Sequence, residues 1–266
     1  MKFEKILVPV DGSPLSDVAT DVAINSAKLF GSKLTFLNVV DFSSNMKFGS
    51  VENVDEILEL QTEGQKATDR VDSKAKAAGI PYETKIVQGV PWEVITKMSR
   101  NYDQIILGVT GKGGMGGRIG KTVEKVLDNS YCPVLTIKSG SRRIEYILLP
   151  VSNINEAAIR FAIATTKHVN GKLTVFAVKG ESVNAESLVS EIAERCRSEG
   201  VDVESSIGEG DPSEAIAAKS GMFDLVIMGT MCRCDGDVLH GGVTESTILN
   251  ASCPVTVVRD ECRECW

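Results

Sequence analysis

The chain has 266 residues, 42% of them apolar and 24% charged, and a formal net charge of −7. That length holds one large or two ordinary domains of a globular protein, and the acidic balance excludes the basic face that non-specific nucleic-acid binding needs. No apolar run approaches the ~18 residues of a membrane span, and the seven cysteines are an odd number, with no secretion signal in the charged residues 1–10, so a cytoplasmic protein is expected.

In chain order, residues 5–10 form a short apolar run that reads as a buried strand. Ser13-Pro14 reads as an N-cap with proline at the first helical position. The helix it opens places Val18, Val22, Ala23 and Ala27 on one stripe and ends at Gly31. Residues 33–40 are a second strand. A long polar helix runs from 54 to about 78, closed by Gly79, and is followed by a strand over 82–87, a short helix over 91–99 and a strand over 104–107. The stretch from Gly108 to Gly120 comes next, with glycine at seven of its thirteen positions and Lys112 and Arg118 among them, Lys121 following. A helix over 122–129 and a strand over 134–137 complete the series. A glycine-rich loop between strand and helix lets backbone N–H groups close on an anion at the helix N-terminus.

The series then repeats. Ile6-Leu-Val-Pro-Val10 recurs as Ile147-Leu-Leu-Pro-Val151, an offset of 141, and Lys33-Leu-Thr35 as Lys172-Leu-Thr174, an offset of 139. Gly89-Val-Pro-Trp-Glu-Val-Ile95 matches Gly210-Asp-Pro-Ser-Glu-Ala-Ile216, and Cys132-Pro-Val134 matches Cys253-Pro-Val255, both at 121. Matched blocks in constant order give two copies of one unit, residues 1–140 and 141–266. The falling offset assigns about 18 extra residues to the first copy, around residues 41–60. Strand–helix alternation with apolar strands calls for a parallel sheet with helices on both faces, whose ligands sit beyond the carboxyl ends of strands at the point where strand order reverses. The ends of strands one and four, Pro9-Val10-Asp11-Gly12 and the glycine loop, converge if those strands are neighbours.

At these residues the chain resembles a tandem member of the universal stress protein family. Lys5-Ile-Leu-Val-Pro-Val-Asp-Gly-Ser13 is similar to that family's first strand, and Leu37-Asn-Val-Val40 to the end of its second. Gly108, Gly111 and Thr122 fall on three of the four places of the nucleotide-binding members' motif (Gly, two residues, Gly, nine residues, Gly, then Ser or Thr), and Val123-Glu124 follows as the family often has. The resemblance implies two doubly wound α/β domains, each a five-stranded parallel sheet of order 3-2-1-4-5, which supplies the adjacency required above. It also implies an adenine nucleotide, ATP or AMP, with magnesium as an optional companion and no tightly bound metal. Asp11 would bond the ribose or adenine side, and Pro9, Val10 and Val39 would shape the adenine pocket. Gly108, Gly111, Thr122 and Val123 would meet the phosphates. The two units would pair through their fifth strands, 134–137 and 255–258, with a homodimer as a further arrangement.

The chain departs from the motif at Lys121, which stands in the third glycine's place with Gly120 one position early. A lysine forced to positive φ would carry a steric cost and re-route the loop, while Lys112 and Lys121 would gain an electrostatic role beside the phosphates. A P-loop ending at Gly120-Lys121-Thr122 needs a glycine where Met115 stands, and no G-x-G-x-x-G follows strand one. The second copy has Ser152 for Asp11, Cys232 for the second glycine and Val243 for the hydroxyl residue, so its site reads as degenerate.

Cys232-Arg-Cys234, near His240, and Cys262-Arg-Glu-Cys265 could supply four thiolates to a metal; unconnected surface thiols, or a redox pair of Cys262 and Cys265, is the reading preferred here. Cys132 and Cys253 read as buried core residues. The first copy has no histidine, which excludes a Ser-His-Asp arrangement within it, so slow ATP hydrolysis assisted by Asp11 is the most catalysis expected. A stress-response role with nucleotide bound in the first unit is the leading expectation, and a nucleotide-independent scaffold the alternative.

Overall fold

The computed structural model describes residues 3–41, 46–47, 50–51, 54–111, 117–140, 143–180, 184–230 and 242–260. The chain divides into two compact units, Phe3–Gly140 and a second from Ser141 onward. The first contains β1 (Lys5–Pro9), α1 (Pro14–Phe30), β2 (Lys33–Val40), the two-residue strands β3 (Met46–Lys47) and β4 (Ser50–Val51), α2 (Val54–Ala78), β5 (Tyr82–Gln88), α3 (Pro91–Ser99), β6 (Gln104–Gly108), α4 (Lys121–Asn129) and β7 (Val134–Ile137). The second contains β8 (Tyr146–Pro150), α5 (Glu156–Val169), β9 (Lys172–Val178), α6 (Ala185–Ser198), β10 (Val203–Gly208), α7 (Pro212–Ser220), β11 (Leu225–Thr230), α8 (Val243–Asn250) and β12 (Val255–Arg259).

Each unit is a parallel α/β sheet, ordered β5-β2-β1-β6-β7 in the first and β10-β9-β8-β11-β12 in the second. Counted within a unit, this is the order 3-2-1-4-5. β1 lies between β2 and β6, with Ile6 opposite both Leu34 and Gln104. The central strands are apolar on both faces because helices cover both: Ile6, Leu7, Val8, Leu34, Phe36, Ile105 and Ile106 are buried. Each such side chain contributes about 1.5–3 kcal/mol over leaving it in water.

Local signals set the element ends. The Ser13 side chain accepts the Ser16 N–H at 3.2 Å, and Pro14 begins α1. Gly31 closes that helix at φ 70°, its N–H donated to the Ala27 carbonyl at 2.8 Å. The same place in the second unit holds Asn170 at φ 51°, a residue that tolerates the left-handed region. A carboxylate latch is also repeated. Asp103 Oδ2 accepts the N–H groups of Glu4 and Lys5 at 2.7 and 2.8 Å, and Asp224 Oδ2 accepts those of Glu145 and Tyr146 at 2.9 Å each. The first unit's extra length resides mostly in a helix, since α2 has 25 residues against 14 in α6. The long helix expected over 54 to about 78 is α2, and it carries most of the extra length that the offsets place around residues 41–60.

On the edge strand β5, Glu83 gathers Lys85 at 2.9 Å, Lys33 at 3.0 Å and the Thr35 hydroxyl at 2.9 Å. Hydrogen bonds from Lys85 first, then Lys33 and Thr35, hold its carboxyl at about 2. A depressed carboxyl adds stability above its unfolded value of about 4.3 and loses it as pH falls through the folded value. Glu83→Gln is therefore expected to be less stable than the parent at pH 7 in urea denaturation, with most of the difference lost by pH 2 and the remainder below it. A difference constant from pH 7 to pH 2 would refute this origin.

Candidate functional site

Because β1 and β6 pair directly, the loops that leave their carboxyl ends face one cleft of about 680 Å³. Pro9, Val10 and Asp11 come from the end of β1, Leu37 and Val39 from β2, and Pro91 and Ile95 from the head of α3. The other wall is Leu107, Gly108, Thr110 and Gly111, then Arg118 through Val123. Ten of the eleven residues assigned from sequence meet here: Pro9, Val10, Asp11, Val39, Gly108, Gly111, Gly120, Lys121, Thr122 and Val123. Lys112 lies outside the described residues, as do Cys232, Cys234, His240, Cys262 and Cys265. Among the described residues no cluster of three or more His, Cys, Asp or Glu side chains could hold a metal ion, and no helix is long and apolar enough to cross a membrane.

Asp11 is held by its own turn. The Ser13 N–H donates to Oδ1 at 2.9 Å, and the Asp11 N–H donates to the Ser16 hydroxyl at 3.3 Å. Its Oδ2 turns toward the glycine loop, 2.5 Å from where a Cβ on Gly111 would stand. Glycine at 111 thus lets the loop backbone close on the carboxylate. Gly108 answers to packing instead, because a Cβ there would meet Leu15 Cβ at 2.8 Å and the Leu15 backbone carbon at 3.1 Å, so its missing side chain seats α1 against the end of β6.

Lys121 takes no positive φ; among the described non-glycine residues only Asn170 does. Gly120 is the N-cap of α4, at φ −67° and ψ 141°, and Lys121 is the first helical residue. The loop absorbs its left-handed turn earlier, at Gly117, φ 89°. The Gly120 N–H is already spent on the Val109 carbonyl at 2.9 Å, and the first helical bond runs from the Glu124 N–H to the Gly120 carbonyl. The amides of Lys121, Thr122 and Val123 precede that bond, and the N-cap Gly120 has no side chain to meet them, so among the described residues these donors and the partial positive charge are directed to the cleft they line. Lys125 Nζ stands 4.6 Å from the Trp92 ring centroid, a contact between α4 and α3.

Several lining residues escape sequence reasoning: Ser13, Ser16, Leu37, Pro91, Ile95, Leu107, Thr110 and Ile119. Arg118 carried a signal as a cation within the glycine run. Pro91 and Ile95 carried none beyond their place in a short helix, since α3 reaches the cleft only through tertiary packing. The two core cysteines also differ: Cys253 is buried, but Cys132 stands in the turn ahead of β7 and is half-buried. Desolvation, with the nearby Asp103 adding, pushes its thiol up to about 12.

The second unit keeps a smaller cleft of about 210 Å³ at the matching place. Ser152 stands where Asp11 does. Phe176 takes the place of Leu37, its ring 2.6 Å from where a Cβ on Gly208 would sit. Asn155 caps α5 and sends Nδ2 to the Thr230 carbonyl at 3.2 Å, crowding Gly229. The paired position thus carries a larger side chain in the second unit than in the first, whereas Asn155 approaches Gly229 much as Leu15 approaches Gly108.

The fold and the first cleft define a tandem doubly wound α/β protein with a cleft at the topological switch point of its first unit. The chain belongs to the universal stress protein family, whose model matches residues 2–138 and again residues 174–259. It is 36% identical over 142 residues to universal stress protein MJ0531 of Methanocaldococcus jannaschii, covering 51% of this chain and 82% of that one. It is 32% identical over 148 residues to universal stress protein YxiE of Bacillus subtilis, covering 51% of this chain and 99% of that one. The crystal structure of a universal stress protein from Archaeoglobus fulgidus superposes with a TM-score of 0.83 at 25% identity, covering 99% of this chain and 98% of that one.

The glycine geometry predicts different outcomes at two positions. Gly108→Ala is expected to cost about 1–3 kcal/mol in denaturant unfolding, because the new methyl overlaps Leu15. Gly120→Ala should cost less, at most about 1 kcal/mol for exchanging glycine for alanine at an N-cap, since its nearest contact would be Thr110 Cα at 3.5 Å and its φ is ordinary. Equal effects at the two sites would contradict the packing described.

Proposed function

We propose that the first unit's cleft binds an adenine nucleotide, ATP or AMP, and that the chain acts as a nucleotide-responsive regulator in a cytoplasmic stress response. One observation carries this reading: a fixed carboxylate, Asp11, and an uncapped helix N-terminus, that of α4, line the same 680 Å³ cleft. A ligand with hydroxyls at one end and phosphate at the other satisfies both. Ribose hydroxyls would donate to Asp11, and the base would lie against Pro9, Val10 and Val39. The phosphates would accept from the amides of Lys121, Thr122 and Val123 and from the Thr122 hydroxyl, with Arg118 and Lys121 lending charge. Asp11 is the one carboxylate among the described lining residues, so any magnesium would be carried by the phosphates themselves. The second unit, with its smaller cleft of about 210 Å³, would serve as a partner to the first, paired through β7 and β12 as the family resemblance implies.

Calorimetric titration with ATP, ADP and AMP, with and without magnesium, tests the reading. Saturable binding at one site per chain is expected. Asp11→Ala should weaken it about 10- to 100-fold, the range expected for losing a hydrogen bond to a charged group at about 1.5–3 kcal/mol. No heat at millimolar nucleotide would instead favour the nucleotide-independent scaffold.

A further inference from the structure

The backbone that carries Asp11 is gripped from behind by a side chain unrelated to the loop motif. Asn38, on β2, is buried and donates Nδ2 to the Val10 carbonyl at 2.7 Å. The Val10 N–H already completes the strand pairing, donated to the Leu37 carbonyl at 2.8 Å. Both backbone groups of the residue before Asp11 are thereby fixed. The other side of Asn38 rests on α2, at Gly64. A Cβ on Gly64 would overlap Asn38 Oδ1 and stand 3.2 Å from its Cγ. Glycine is a poor residue for a helix interior, and its presence in the middle of α2 is accounted for by the room Asn38 needs. On the far side of Asp11, Arg70 of the same helix reaches the Gly12 carbonyl at 3.4 Å and Asp17 at 3.3 Å. The second unit, which has no aspartate at this place, has Ala177 where Asn38 stands, yet it makes the same strand bond from the Val151 N–H to the Phe176 carbonyl at 2.8 Å. The amide side chain is therefore dispensable for the sheet.

We propose that Asn38, seated on Gly64 of α2, is a positioning residue for Asp11, so that the affinity of the first cleft for its ligand depends on the packing of α2 against β2. This rests on the nucleotide reading above and extends it to a residue outside the cleft lining. If α2 shifts, the Val10 carbonyl and the carboxylate that follows it shift too. The first unit's long helix thereby gains a direct mechanical connection to the site.

A mutant cycle in the full chain tests it, with ATP affinity read by calorimetry and folding by circular dichroism and thermal melting. Asn38→Ala should weaken ATP binding about tenfold in a chain that still melts cooperatively, as alanine in the second unit's counterpart leads one to expect. Added to Asp11→Ala, it should cost nothing further, because it acts through that carboxylate. Gly64→Ala, which crowds Asn38 without touching β1, should weaken binding in the parent and leave Asn38→Ala unchanged; it also serves if Asn38→Ala does not fold. A parent that binds ATP while Asn38→Ala and Gly64→Ala bind equally well overturns the positioning role alone. Independent, additive losses in the Asp11→Ala background overturn it as well. A parent that binds no nucleotide overturns this inference together with the function on which it rests.

Discussion

The site depends first on the parallel pairing of β1 with β6. Ile6 lies opposite Gln104 and Leu7 opposite Ile105, and that register delivers Asp11 and the glycine loop to the same end of the sheet. A parallel pair cannot be closed by a tight turn, so each strand must leave through a loop and a helix. Here those two exits are neighbours because the chain reverses its direction of winding between them. Close packing around Ile6, Leu7, Ile105 and Ile106, buried on both faces, keeps the register from slipping, since a one-residue shift would exchange side chains of different shape between two filled layers. The chemistry of the cleft is thus supported by strands that contribute little to it directly.

Once the strands are placed, the two units differ by what fills the switch point. The first unit uses absence: Gly108 admits Leu15, Gly111 admits the carboxylate of Asp11, and Gly64 admits Asn38. The second puts Phe176 where the first has Leu37, and its cleft is about 210 Å³ against about 680 Å³. Each unit keeps the same strand order despite this difference. A tandem chain can specialise in this way because the backbone scaffold tolerates repacking at strand ends more readily than in the middle of the sheet.

Much of this was legible in the sequence, for physical reasons. Pro14 and Gly31 bounded α1 because one pre-sets φ and the other accepts a positive φ; Gly79 closed α2 in the same manner. The repeated blocks gave the two-unit organisation, and the family resemblance gave the strand order on which the convergence of Asp11 with Gly111 and Thr122 depends. What escaped was tertiary. Spacing alone set Lys121 against the motif, but the left-handed turn is taken at Gly117 and α4 begins one residue earlier than periodicity suggests, so the lysine occupies an ordinary helical conformation. Ile95 and Leu37 could not be assigned to the cleft from their neighbours, and nothing in the pattern of α2 connected Gly64 to Asn38. Close approach of side chain and backbone across elements leaves no periodic trace.

The central claim is that ligand enters the first unit between Asp11 and the head of α4. Amide NMR of the isotopically labelled full chain during titration with ATP addresses this most directly. The account predicts saturable shifts at Asp11, Gly12 and Ser13 together with Gly111 and residues 121–123, and no comparable shifts at the corresponding positions of the second unit around Ser152 and Val243. Shifts centred on the second unit, or no saturable shifts at millimolar ATP, would contradict it.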